Sequence, residues 1–472
     1  MRAYPAKAVN LAFPWGAALG CLLLSHPFAV HAEPLTRGAA IARAMNQNPQ
    51  VAAARAVVGQ AEARQDQVEA ARFPSVTLLL GTGPSLKADL VPGTAAKSRE
   101  NTYGDVGWDD LTVSFAGDLQ VIQPLYTFGK IGHRQQATAH EVAARQAQTD
   151  MTRAELAMTV AELYEGLLFA RDAARFFQET DQWLSRSIES TQGELEAGST
   201  TVSEQDLLRL KAAVAVIHLG LSQAEAAQRQ ATAGLVAYLN LDKSATIEPN
   251  EATLELLPTP DSPAHKLIDQ AHQLRPELRA LEHAGSAFEA LAEAEQAGFM
   301  PDLFAAGFLF GGYTPGRDMV TTRYIQDPVN GFYPGVLVGA RLQIDGLMPL
   351  RRADENRAKA LELQYTREWA FAGMPAEVTK AYEDVRRAKQ DADATAESVQ
   401  SAKKWLVQAS ADQSIGLGDS RDVADAASAY VQLRVAHFDA KYRHNVALAD
   451  LARATGTLVG PESPYYPNRP QE

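Results

Sequence analysis

Asp422 and Asp425 stand three residues apart in the run Ser420-Arg421-Asp422-Val423-Ala424-Asp425. At that spacing a helix carries both carboxylates on one face, where they could attract or select cations. The pattern equally suits an ordinary helix start, because acidic side chains satisfy orphan N–H groups and oppose the helix dipole, and Arg421 can pair with them. Asp206, near a break at Ala197-Gly198-Ser199-Thr200, is a weaker candidate of the same kind. Little else could do chemistry. There is no H-E-x-x-H, no phosphate-cradling glycine loop and no G-x-S-x-G elbow. The ten histidines are scattered, and neither His133 with His140 nor His265 with His272 has a recognised metal spacing. The reading is of a protein with no catalytic, cofactor or metal site, and not an enzyme.

Charge and export narrow the class. With 44 Lys plus Arg against 57 Asp plus Glu, the net charge of −13 leaves no basic surplus for nucleic acid. Arg2 and Lys7, an apolar stretch from Leu11 to Leu24 and the small residues Val30 and Ala32 make residues 1–32 a secretory signal cleaved after Ala32. The alternative is a lipoprotein site at Ala18-Leu19-Gly20-Cys21, with Cys21 acylated. Cys21 is the single cysteine, so cleavage after Ala32 removes any disulfide framework. Beyond the leader no run reaches the ~18 apolar residues of a spanning helix. An exported chain of this kind is soluble or a β-barrel.

The elements that would position these residues come in duplicate. Asn48-Pro49 answers Arg275-Pro276, and Phe73-Pro74 answers Met300-Pro301, at the same interval. Each copy reads as a helix of about two dozen residues, a proline break, then a strand. The organisation is a first repeat over 33–241, a linker over 242–264, a second repeat over 265–458 and a tail over 459–472. The linker holds Pro249, Pro258, Pro260 and Pro263 and reads as an outer strap without chemistry.

From Lys130 to Ala197 there is no proline, and Leu156, Val160, Leu163, Leu167, Ala170, Ala174 and Phe177 alternate steps of four and three. That is a heptad seam, and the helix that carries it would be on the order of 100 Å long. A return helix follows from about Ser203 to Leu239. The second repeat predicts a long helix from about Arg351 to Ser414, a break at Gly416-Leu417-Gly418 and a return helix from Arg421 to Ala454. Met374-Pro375 predicts a kink or short break in the outgoing helix.

Leu111 to Val121 alternates apolar residues with Thr112, Ser114, Asp118 and Gln120, and Val336 to Ile344 alternates likewise around Arg341 and Gln343. Strands of about ten residues with one apolar face suit a transmembrane barrel. Partner strands are expected at Val76–Thr82 and Leu303–Tyr313, with the polar segments 83–110 and 314–335 as loops outside the cell. Four strands cannot enclose a channel, and lipid does not tolerate an open sheet edge, so the chain must oligomerise.

At Gln123-Pro124-Leu125-Tyr126-Thr127-Phe128-Gly129-Lys130 the chain resembles the TolC family of outer-membrane efflux channels. The N-P and R-P helix starts, the F-P and M-P strand entries, the tips at Ala197-Gly198 and Leu417-Gly418-Asp419-Ser420-Arg421-Asp422, and the ending Ala447–Gly456 match in order. The second strand-to-helix turn departs from the pattern: it keeps Gly346 but places Pro349 after it, where a first helical turn tolerates proline. The resemblance implies a mainly α chain with four β-strands, forming a homotrimer with a twelve-stranded barrel in outer-membrane lipid and an α-helical coiled-coil tunnel in the periplasm. It implies a passive exit duct of a tripartite efflux or type I secretion system, working with a periplasmic adaptor and an inner-membrane pump of RND, ABC or MFS type. In it Asp422 and Asp425 would ring the periplasmic entrance, with Arg421 and Asp206 nearby. Two other readings stand beside it: a duct for heavy-metal cations, and a periplasmic coiled-coil scaffold without a pore.

Overall fold

The computed structural model describes residues 34–87, 107–198, 202–319, 327–415 and 420–459. The leader with Cys21, most of the first outer loop, the second tip at Gly416–Asp419 and the tail beyond 459 lie outside the described residues. In chain order the elements are β1 (Pro34–Leu35), α1 (Arg37–Gln47), α2 (Pro49–Ala70), β2 (Ser75–Leu86), β3 (Leu111–Tyr126), α3 (Lys130–Glu196) and α4 (Glu204–Tyr238). The second half follows with β4 (Glu248–Pro249), α5 (Ala264–Leu274), α6 (Pro276–Gln296), β5 (Asp302–Tyr313), β6 (Gly331–Arg341), α7 (Met348–Ser414) and α8 (Ser420–Ala454). The repeat read from the prolines is thus a repeat of elements: a short helix, a medium helix opened by proline, a hairpin, a 67-residue helix and a 35-residue return.

Pro49 and Pro276 sit in the first turn of α2 and α6, where a missing N–H is no loss. The Asn48 side chain caps the first of these, its Oδ1 accepting from Gln50 N at 2.8 Å. Pro74 and Pro301 stand in the breaks before β2 and β5.

The seam of α3 is buried as its spacing requires: Leu156, Val160, Leu167, Ala170, Ala174 and Phe177 are covered, and Leu163 packs half-buried beside them. α4 lies along α3 closely enough that a Cβ on Gly220 would fall 2.5 Å from the Phe177 ring. α8 packs on both α3 and α7, which gives the row α4–α3–α8–α7, while α2 packs on α3 and α6 lies against both α3 and α7. α4 also contains an 18-residue stretch with a mean hydropathy of 1.3, apolar enough to cross a membrane by length and composition. An alanine- and leucine-rich mate of a coiled coil passes the same test, and Arg209, Lys211 and His218 keep the stretch from being a continuous apolar run.

Two expectations are corrected. α7 runs unbroken through Pro375, because Met374 and Val378 on either side of it are buried in one cluster with Leu267 and Leu448. Packing there outweighs the lost hydrogen bond. The last strand starts at Gly331 and ends at Arg341, five and three residues earlier than its alternation suggested, and β2 and β3 each extend beyond their expected ends.

The four long strands form one antiparallel sheet in the order β2-β3-β5-β6, so the two hairpins join through β3 and β5. β2 and β6 are its edges. β1 and β4 pair in parallel elsewhere and fasten the linker to the start of the chain.

Candidate functional site

At the helical tips, Asp206 is N3 of α4 and forms a capping box with Ser203. Its Oδ2 accepts from Ser203 N at 3.0 Å, and its own N–H donates to Ser203 Oγ at 3.3 Å. Arg209 donates to the other carboxylate oxygen at 3.3 Å. Asp206 also lines, with Trp183, Leu210 and Val423, a cavity of about 350 Å³ between the two tips. Asp422 and Asp425 are exposed on the opening turns of α8 and stand outside that lining, with Arg421 exposed beside them. Within one chain the structure keeps the pair and Asp206 in different settings. Gly198, with φ 74°, closes α3 by donating to the Leu195 carbonyl at 3.1 Å. Gly418 lies outside the described residues.

At the other end lies the strand-to-helix turn. Pro124 belongs to the end of β3, at the register irregularity between β3 and β5, where a proline can sit without breaking a ladder. The turn proper is Thr127–Gly129, with Phe128 at φ 48° and Gly129 at φ 90°. Gly346, at φ 61°, makes the matching turn before α7, and Pro349 occupies the first turn of that helix. Lys130 Nζ reaches across to Asp302 Oδ1 at 2.9 Å and to the Met300 carbonyl at 2.7 Å. His133 Nδ1 meets Glu293 at 2.8 Å. These ties fix the start of the first long helix to the second repeat just below the sheet.

Sequence reasoning missed a buried polar cluster at the middle of the molecule. Glu165 has no exposed surface; it accepts from Arg37 and, at 2.8 Å, from Asn445 Nδ2. Tyr164 OH donates to Glu251 and to the Leu35 carbonyl. The linker is pinned over this cluster: Leu254 N donates to Asp172 at 2.7 Å and Leu257 N to Asn445 Oδ1 at 3.0 Å. Thr259 Oγ1 lies 3.2 Å from His444 Nε2. Burial acts most strongly on Arg37 and lowers its pKa, but the bond to Glu165 together with the charges of Glu165 and Glu251 outweighs it, and the guanidinium is held more firmly charged. Burial and then Glu251 push the Tyr164 hydroxyl up, and burial pulls the His444 imidazole down. No local signal could have revealed the cluster, because Arg37 and Asn445 lie 128 and 280 residues from Glu165.

The outward face of the sheet is apolar. Val76, Leu78 and Leu80 on β2, Val113 and Phe115 on β3, and Val336 and Val338 on β6 are exposed, Val336 at 89%. Alternation of this kind over strands of 11 to 16 residues is what a lipid-facing wall requires.

The chain matches the model of the family described as outer membrane efflux protein over residues 40–241 and 267–457. No curated protein matches the sequence. Among solved structures it is similar to the transmembrane channel CusC, with 18% identity, a TM-score of 0.71, and 89% of this chain and 92% of that one covered. It is similar to the CmeC outer membrane channel of Campylobacter jejuni, with 16% identity, a TM-score of 0.71 and coverage of 95% and 94%. The open state of the MtrE outer membrane channel of Neisseria gonorrhoeae gives 17% identity, a TM-score of 0.70 and 89% of both chains. These likenesses show the TolC-like fold. The two matched segments fall on the two structural repeats, and together with the apolar sheet and the long coiled helices they place the chain in the outer membrane efflux protein family, as an outer-membrane efflux channel with its helical part in the periplasm.

Proposed function

We propose that three copies of this chain form one passive exit duct, in which twelve strands close a barrel and the long helices continue it as a tunnel. The observation that carries this reading is the four-stranded sheet with an apolar outer face and two unpaired edges, β2 and β6. An open edge in hydrocarbon leaves backbone groups unsatisfied at several kcal/mol each, and pairing β6 of one copy with β2 of the next removes every edge. The helices support the same closure. α4 and α7 are the outer members of the helical row and expose apolar side chains: Leu208, Val216 and Leu219 on one, Leu361, Tyr365 and Trp369 on the other. A pore-less scaffold gives the strand alternation no purpose.

Asp422 and Asp425, brought together from three copies, form the cation-selective constriction at the periplasmic entrance, with Arg421 as their counter-charge and the tips as the docking end for an adaptor. Rings of like charge favour cations and repel each other, so they select and gate together. Energy comes from the inner-membrane pump. Single-channel recording in a planar bilayer tests this. Discrete cation-preferring steps are expected, and Asp422→Asn with Asp425→Asn raises the conductance or weakens the cation preference. An unchanged channel in the double variant removes the pair from the gate. Silence that persists after the tip is opened by substitution at Arg421, Asp422 and Asp425 contradicts the duct itself.

A further inference from the structure

His140 on α3 and His283 on α6 come from different repeats, yet their Nδ1 atoms lie 3.4 Å apart. The ring centroids are 5.6 Å apart and the rings are inclined by 29°, so the nitrogen-bearing edges converge while the ring bodies splay. A separation of 3.4 Å is long for a hydrogen bond, whose N···acceptor distances run about 2.7–3.2 Å. It does match a metal bite. At a Zn–N bond of about 2.0–2.1 Å, two nitrogens on a tetrahedral ion stand about 3.3–3.4 Å apart, against about 2.9 Å for a right-angled octahedral pair. Both histidines are half-buried, which holds the rings while leaving water access to the remaining positions.

We propose that His140 and His283 form a two-histidine site for a borderline divalent cation of the zinc class, completed by water, which cross-links the two repeats below the sheet. Imidazole nitrogen suits Zn²⁺, Cu²⁺ and Ni²⁺ and discriminates against Mg²⁺ and Ca²⁺, which take oxygen donors. Among the described residues no group of three or more His, Cys, Asp or Glu gathers to hold a metal, so this pair supplies two protein ligands and no more. Water in the other positions makes the site exchangeable, unlike a closed structural zinc centre. The location fits a brace. α6 lies against both α3 and α7, and the residue next to His283, Glu282, accepts from Arg367 of α7 at 3.3 Å. A metal on the other side of α6 would hold it to α3 in the same turn.

The test is a zinc titration of tag-free, metal-stripped protein in mild detergent, followed by calorimetry. One Zn²⁺ per chain is expected, with an affinity at least tenfold above that of His140→Gln or His283→Gln, and Mg²⁺ should produce no heat at the same concentration. Zinc-edge X-ray absorption on the unsubstituted protein gives a readout that does not depend on variants folding: two imidazole rings in the first shell are expected. A first shell of oxygen alone, or variants that bind as tightly as the parent, would overturn the proposal.

Discussion

Glu165 is fully buried with a single formal counter-charge at hand, Arg37, whose other carboxylate partner is the partly exposed Glu251 at 3.4 Å. Removing Glu165 leaves the largely buried Arg37 with the longer contact to Glu251 in place of its close partner, so Glu165→Ala is expected to cost about 3 kcal/mol in a denaturant or thermal unfolding series. Glu251→Ala, nearer the surface, should cost about 1 kcal/mol. Equal losses in the two variants would contradict this ranking. His444 and His437 give the middle of the molecule a pH dependence. Burial lowers both imidazoles, helped at His437 by the charges of Lys441 and Arg434 and at His444 by Lys389, while Asn445 and Asp393 oppose the shift at His444. The unfolded chain therefore takes up protons first as the pH falls below about 6.5, and stability is lost from there down through the lower folded values. Melting temperatures measured between pH 7.5 and 5.5 should fall with acidification, and His437→Gln with His444→Gln should flatten the slope. An undiminished slope would place the proton uptake elsewhere.

At the scale of elements, the two turns that lead into the long helices make a matched comparison. Gly129 and Gly346 both have positive φ, but a Cβ at Gly129 would lie 2.9 Å from the His133 ring, whereas nothing lies within 4 Å at Gly346. Gly346→Ala pays only the left-handed strain of about 1–2 kcal/mol, and Gly129→Ala must also move His133 off Glu293. The larger loss of thermal stability is expected in Gly129→Ala; the reverse order would mean that the first turn is the looser of the two. These glycines were legible in the sequence through the resemblance, whose strand-to-helix turn each of them matches. The α3 seam was legible from its spacing, since a 3.5-residue period has no other structural use at that length. The start of β6 was not: Gly331, Pro334 and Gly335 are turn residues by composition, yet they pair with Gly312, Leu309 and Phe308 in a ladder that extends β5. Pro375 misled in the opposite direction, since its local preference for a break is overridden by the buried neighbours that keep α7 continuous through it.

At the scale of the whole molecule, what local pattern could carry was readable and what long-range contact creates was not. The duplicated prolines, alternating strands and paired rods describe the architecture, while the Glu165 cluster and the His140–His283 contact depend on residues brought together only by folding. The candidate gate is intermediate: the spacing of Asp422 and Asp425 placed them at a helix start, where they are found, but a single chain leaves both exposed and away from the cavity that Asp206 lines. On the proposed reading their role arises only between copies. The proposed closure between copies would also give a use to the apolar face that α4 exposes although it is a long, well-formed helix. A charged substitution on that face, such as Val216→Glu, should leave the chain folded by circular dichroism while reducing the assembled fraction on a sizing column. Unaltered assembly would move the subunit contact to another surface. The most direct measurement is the mass of the complex extracted in mild detergent, taken by native mass spectrometry alongside its β-sheet content. Three chains per complex, with the strands lost when the complex is dissociated, are predicted; a stable monomer that keeps its strands would contradict a barrel closed between copies.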